Sequence, residues 1–336
     1  MSVTFACIDA DTLGGIQQIT HTLAQGLAER GYDVRVIGLQ RTEAPFRYVE
    51  HPLYTRHLVA KDGKLDKILP SDGFLVMTSP GVVTRLAGHG SGLRRIGQYH
   101  GSYEHARGTW HLGSIRRHYG QLDQAVFLSE ADAWQFAEHT LLPNTWAMPN
   151  PLREWPARVS TLTTPRVLGV GRLAGVKRFD RLITAFARAS APPWELHLIG
   201  DGPEEERLRA HARHEGVADR VIFRGRVHAA DMPAEYDDAA LLGLSSEHEG
   251  LPLVLLEAAA HGVPAVAFDV SGGVRSVAPA LVAPGDVDGF AVRLGALMAS
   301  YDERRRLGAA VRSQAAGFRL DRVLDRWEVL FSHITR

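Results

Sequence analysis

The sequence predicts an α/β protein made of two doubly wound parallel-sheet domains in tandem. Three observations predict it. The chain has 336 residues, about two domains at roughly 150 residues each. Short apolar runs alternate with segments of helical periodicity. That alternation breaks once near the middle and then restarts. With 45% hydrophobic and 23% charged residues and no charge-block or low-complexity segment, the whole chain is expected to fold.

The elements follow in order. The N-terminal segment reads as strand (Val3 to Ile8), Gly-rich turn (Thr12-Leu13-Gly14-Gly15), helix (Ile16 to Arg30) and strand (Val34 to Leu39). Ile16, Ile19, Leu23 and Leu27 recur at helical spacing, and Gly31 supplies a C-terminal stop. Further strands are expected at Phe74 to Met77, Arg95 to Tyr99 and Ala125 to Leu128, the last leading into a helix that Ser129 is placed to cap. Pro149, Pro151, Pro156 and Pro165 then bracket a stretch without period. Strands restart at Arg166 to Val170, Glu195 to Ile199, Val221 to Phe223, Ala240 to Leu244 and Pro264 to Phe268. Helices lie between them, and mostly helical sequence follows Asp286. This divides the chain into a first Rossmann-like domain (1–150), a linker (151–165), a second Rossmann-like domain (166–318) and a C-terminal helix (319–336), for which packing back on the first domain is one option.

The charges exclude several classes. Lys+Arg and Asp+Glu each number 38, with 14 of each before residue 150 and 24 after, so neither half is a basic footprint for nucleic acid. The single cysteine, Cys7, lies in an apolar run, which leaves no disulfide framework and no thiolate metal site. No signal peptide or membrane span is visible, and a cytoplasmic location is the expectation.

In open parallel sheets, ligands bind beyond the carboxyl ends of the strands at the topological switch point. Two such domains are therefore expected to face each other across a cleft suited to joining two substrates. Two segments carry the chemistry. In Ser245-Ser246-Glu247-His248-Glu249-Gly250-Leu251-Pro252-Leu253, continuing to Glu257, two carboxylates eight residues apart flank the start of a helix, Glu257 about two turns in. The amides of Gly250 and Leu251 would suit a phosphate and the glutamates paired hydroxyls, although a helix with a favourable acidic start fits equally. In Gly169-Val170-Gly171-Arg172-Leu173-Ala174-Gly175-Val176-Lys177, Arg172 and Lys177 stand five apart, a pair suited to a departing diphosphate. Gly169-x-Gly171-x-x-Ala174 also fits a dinucleotide fingerprint, the basis of an NAD-dependent oxidoreductase alternative, but the helical period begins only near Phe179.

At these residues the sequence resembles the retaining glycosyltransferases of family 4, a nucleotide-sugar-dependent group with the GT-B fold. Glu249 to Glu257 is similar to their E-x7-E motif. Gly14-Gly15, the Arg172 and Lys177 block, Ile199-Gly200-Asp201-Gly202-Pro203, Val221 to Gly225 and Gly262 to Val266 agree in order. The resemblance implies that Arg172 and Lys177 bind the donor diphosphate, that Glu249 holds sugar hydroxyls and that Glu257 accepts from the nucleotide ribose. It places His100 beside the donor sugar, Gly15 where the diphosphate approaches, Val227 near the base, and Gly250, Leu251 and Leu253 against the nucleotide. It implies a UDP-sugar donor, a hydroxyl acceptor, no metal and no further cofactor. A nucleotide-sugar isomerase of the same architecture is the alternative. Ser271-Gly272-Gly273-Val274-Arg275-Ser276 departs from the family by lacking the usual following acid.

Other features are read as bland. Asp9-Ala10-Asp11 spells a metal-binding triad of another fold but reads as a turn. His211 with His214, and His105 with His111, lack further ligands. Arg94-Arg95 and Arg116-Arg117-His118 read as solvated cations, with peripheral contact to an anionic membrane as the alternative.

Overall fold

A computed structural model describes residues 1–58, 65–189 and 192–335. They form two units: Met1–Arg153 with the segment from Phe318 onward, and Glu154–Gly317.

The first unit holds seven strands: β1 (Ser2–Asp9), β2 (Asp33–Gln40), β3 (Thr55–Leu58), β4 (Phe74–Met77), β5 (Arg94–Gln98), β6 (Gln124–Phe127) and β7 (Thr145–Ala147). Their order is β3-β2-β1-β4-β5-β6-β7, and every pairing is parallel. The second unit holds β8 (Arg166–Val170), β9 (Glu195–Ile199), β10 (Val221–Gly225), β11 (Leu241–Leu244), β12 (Ala265–Phe268) and β13 (Ala280–Val282). Their order is β10-β9-β8-β11-β12-β13, again all parallel. The chain reverses direction across each sheet between β1 and β4 and between β8 and β11, which defines one switch point per unit.

Helices covering both faces explain why β4, β6, β11 and β12 are buried at every residue and, Gln124 at the start of β6 apart, read as apolar runs. The helix Gly15–Glu29 turns Ile19, Leu23 and Leu27 inward. It ends where Gly31 takes a positive φ of 87° and its N–H bonds the Ala28 carbonyl. Ser129 Oγ accepts from the Asp132 N–H at 3.0 Å and starts the helix Glu130–Thr140.

The stretch 151–165, read from its prolines as a linker, is tied down along its length. Leu152 N–H bonds the Phe318 carbonyl, and Leu152 forms a parallel bridge with Arg319. From Glu154 the chain is part of the second unit. Ser160 N–H bonds the His261 carbonyl, and Arg304 donates to the carbonyl of buried Leu162. These are long-range contacts, so no local period announces them.

The helix Leu320–Thr335 completes the first unit's core. Trp327 is fully buried, edge-on to Phe5 at 6.3 Å, and Phe331 stacks on Phe74 at 4.3 Å. Trp327→Ala should therefore lower the unfolding free energy by about 3–5 kcal/mol. Urea unfolding of the purified variant measures it, and a loss below about 1 kcal/mol would show that the helix contributes little to that core.

Candidate functional site

At the second switch point the loops after β8 and β11 meet. After Val170 the chain passes Gly171 and Arg172 into a tight turn at Gly175–Lys177. Gly171 N–H bonds the Ile199 carbonyl and Leu173 N–H the Asp201 carbonyl, which lays this loop along the end of β9. The approach is close enough that a Cβ at Gly200, whose φ is +131°, would sit 2.0 Å from the Gly171 oxygen. After β11, Ser245 Oγ donates to the Lys177 carbonyl at 2.9 Å and Glu247 N–H to the Val176 carbonyl at 2.9 Å. Lys177 Nζ then reaches Glu249 Oε1 at 2.6 Å, with side chains 23% and 10% exposed. The paired charges limit the cost of removing both from water. Arg172 is exposed and has no ion-pair partner among the described residues, so its guanidinium is open to an anion.

Glu249 precedes and Glu257 lies within the helix Leu253–Ala260, whose N-cap is Pro252, with no side-chain cap and no acid in its first turn. Its leading amides are thus left without a side-chain acceptor, the arrangement that suits an anionic ligand. Because the helix starts at Leu253, Glu257 lies just over one turn in rather than two. Gly250 is seated on the start of the short helix Gly272–Arg275: Ser271 Oγ donates to its carbonyl at 2.7 Å, and a Cβ at Gly273 would come within 2.2 Å of the same oxygen. Leu251 is buried and Leu253 half-buried beside it. Glu257 accepts from the Tyr236 hydroxyl at 2.8 Å. Burial pushes the Glu257 carboxyl up, against the Tyr236 hydrogen bond, and holds the Tyr236 phenol well above its ordinary value. Val227 is half-buried after β10, next to an Arg226–Asp201 ion pair of 2.8 Å.

The dinucleotide fingerprint does not take its usual form. Past Ala174 the chain makes the tight turn Gly175–Lys177, and the helix begins only at Phe179.

In the first unit, the loop after β1 is fixed from within. Asp9 Oδ1 accepts from the amides of Asp11 and Thr12, and buried Asp11 pairs with Arg56. Tyr48 Oη accepts from Gly14 N–H at 2.7 Å and donates to the Thr12 carbonyl at 2.6 Å. Tyr48 also stacks on His21, whose ring nitrogens reach the Tyr54 hydroxyl and the Ala10 carbonyl. A Cβ at Gly15 would meet no atom of its own unit within 4 Å. His100 follows β5, half-buried, with Asn150 as side-chain partner and Nε2 without a hydrogen bond. Loss of hydration pushes its pKa down to about 4, so the ring is neutral near pH 7.

Two further histidines singled out from the sequence have local partners. His211 Nε2 lies 2.8 Å from Thr184 Oγ1, and His111 Nδ1 lies 3.2 Å from the Tyr99 hydroxyl. Arg116 and Arg117 are exposed on the helix Trp110–His118 together with Trp110. Arg94 lies 3.5 Å from Asp123, and Arg95 donates to the Leu86 carbonyl. No helix among the described residues is long and apolar enough to cross a membrane.

Sequence reasoning did not find Tyr236, Tyr48, Arg178 or Glu247. Each acts through a partner at least 21 residues away, so no local pattern assigns its role, although Glu247 lies within one of the two segments above and Arg178 directly follows the other.

Comparison with known proteins bears on the second unit most directly. Residues 154–314 match the family model for glycosyl transferases group 1. An exopolysaccharide phosphotransferase of Streptomyces coelicolor is 30% identical over 99% of the chain, which spans only 41% of that relative. A glycosyltransferase of Haemophilus influenzae, itself uncharacterized, is 27% identical over 82% of each chain. Among solved structures, Anabaena HepE in complex with UDP and glucose superposes with a TM-score of 0.78 at 17% identity, over 99% of this chain and 100% of that one. The protein thus has the GT-B fold, and residues 154–314 of its second unit are similar to the group 1 glycosyl transferases.

Proposed function

We propose that the protein is a metal-independent, retaining glycosyltransferase that moves a sugar from a UDP-sugar to an acceptor hydroxyl. The observation that carries the reading is the Lys177–Glu249 pair at the second switch point, beside the helix start that no side chain caps. A diphosphate leaving group needs positive charge where negative charge develops. Lys177, Arg172 and the amides at Gly250, Leu251 and Leu253 supply that field without a metal. Glu249 holds the ammonium through one oxygen and offers the other to sugar hydroxyls. Glu257, with Tyr236 on Oε2, accepts from the ribose, and Val227 borders the base.

In the reaction so read, the bond from the anomeric carbon to the phosphate oxygen breaks with both electrons leaving on that oxygen. The acceptor oxygen bonds the anomeric carbon on the same face, and its proton passes to the departing phosphate. Glu249 positions the sugar and forms no covalent bond to it. His100 contributes a neutral ring nitrogen to the donor sugar, and Gly15 leaves room for the diphosphate. The exposed arginines of the helix Trp110–His118 would serve peripheral contact with an anionic membrane.

UDP should bind equally well with and without EDTA in titration calorimetry, and early proton NMR of the product should show the donor's anomeric configuration retained. Strict Mg²⁺ dependence would remove the metal-free reading, an inverted product the same-face mechanism, and donor turnover without acceptor would favour the isomerase. A product carrying the donor's phosphorus would favour the activity named for the Streptomyces relative.

Glu257→Ala should weaken UDP binding about tenfold to a hundredfold, the range for losing a hydrogen bond to a charged group. Glu249→Ala should chiefly lower kcat. Wild-type binding and turnover in both variants would sink the assignment.

His100 gives a pH prediction. Its folded-state pKa of about 4 lies below the ordinary 6.5, so the unfolded chain takes up the proton first on acidification. The stability it contributes is complete above about pH 6.5 and is lost as pH falls towards 4, by at most about 3 kcal/mol. Burial lowers the pKa of His21, His197 and His261 too, so part of the slope is theirs. Urea midpoints from pH 4 to 7 should show a shallower acid loss in His100→Gln than in wild type. An identical slope would mean that His100 is hydrated.

A further inference from the structure

The loops that bring Lys177 and Glu249 together are also joined by a second set of charges. Arg178, next to Lys177, is a non-glycine residue in the left-handed region, with φ 48° and ψ 45°. Side chains rarely adopt that conformation unless their surroundings hold them there. Its guanidinium is gripped from two sides. Nε and Nη2 donate to Asp180 Oδ1 and Oδ2 at 3.0 and 2.9 Å, and Nη1 donates to Glu247 Oε1. The same Glu247 oxygen accepts from Arg181 Nη2 at 3.1 Å. Glu247 stands two residues before Glu249, and its own N–H bonds Val176, two residues before Arg178.

The turn 175–178 and the loop 245–249 are therefore fastened by two backbone-directed bonds, Glu247 N–H to Val176 and Ser245 Oγ to Lys177, and by the Arg178–Glu247–Arg181 cluster. Lys177 alone is a point charge on a flexible stem. Its meeting with Glu249 is only as well defined as the two backbones that carry them. The Arg178 guanidinium, already engaged by two carboxylates, is poorly placed to serve an incoming anion itself.

We propose that Arg178 and Glu247 are a positioning pair: they lock the turn after β8 to the loop after β11 and so fix where Lys177 and Glu249 meet the donor, without touching it. This rests on the donor-site reading above for its ligand but not for the lock itself.

Two measurements on the full chain test it, with Arg178→Gly, Glu247→Gln and the double variant. Glycine takes the left-handed conformation without steric cost, so Arg178→Gly removes the guanidinium and leaves the turn free to form. Glu247→Gln keeps shape and removes charge. In hydrogen exchange of the ligand-free protein, peptides covering 245–250 should exchange about fivefold faster or more in each single variant, and no faster in the double than in the weaker single. Wild-type exchange in Glu247→Gln overturns the lock, whatever Arg178→Gly does to folding. In calorimetry with UDP, each single variant should bind about tenfold more weakly, the double should be no worse, and Glu247→Asp should recover part of the loss. Losses that add in the double variant overturn the pair and make Arg178 a direct ligand contact. A wild type that binds neither UDP nor another nucleoside diphosphate, with exchange still accelerated in the variants, overturns the donor reading and supports the lock.

Discussion

The second unit is organised around one electrostatic constraint: a lysine and a glutamate from different strand ends are held at 2.6 Å, mostly out of solvent. Half-buried ions are unfavourable unless partnered, and each here is the other's partner. Satisfying that pair requires the turn after β8 and the loop after β11 to lie side by side. This follows from β8 and β11 being neighbours in the sheet although far apart in sequence. The glycines at 200 and 273 let the supporting loops pack closely enough beneath them. The meeting of the two charges is thus set by the neighbouring strand ends of the sheet.

The first unit solves a related problem differently. Its loop after β1 carries two aspartates, and the fold engages both: one in a turn of its own amides, the other against Arg56. Tyr48, Tyr54 and His21 then pack over the loop. A motif that spells metal binding in the sequence is, in three dimensions, the frame of a loop.

Much of this was readable in advance, and the rest was hidden for identifiable reasons. Central strands such as β4 and β11 are buried on both faces, so their apolar runs stand out. The edge strands β3, β7 and β13 have three or four residues, and β3 is mostly exposed, so neither length nor pattern marks them. Lys177 and Glu249 stand out in the sequence, the one by its spacing from Arg172 and the other by its spacing from Glu257, but nothing in the sequence pairs them with each other. The depth of Glu257 was overestimated: with the helix starting at Leu253, the carboxylate lies just over one turn in rather than two. Tyr236 on Glu257, Asn150 on His100 and Glu247 on Arg178 were not legible, because each pairing exists only once distant segments are folded together.

The chain leaves the first unit after Arg153 and re-enters it at Phe318, and the two crossings run side by side, bridged between Leu152 and Arg319. The second unit is in effect an insertion within the first. Its residues are continuous and can fold as soon as they have been synthesised, whereas the first unit lacks Trp327 and Phe331 until the helix from Leu320 arrives. Order of synthesis and order of completion are therefore opposed: the half that begins the chain is the last to close its core. Because the insertion's ends lie next to each other, one such unit could be exchanged for another without disturbing the sheet that receives it.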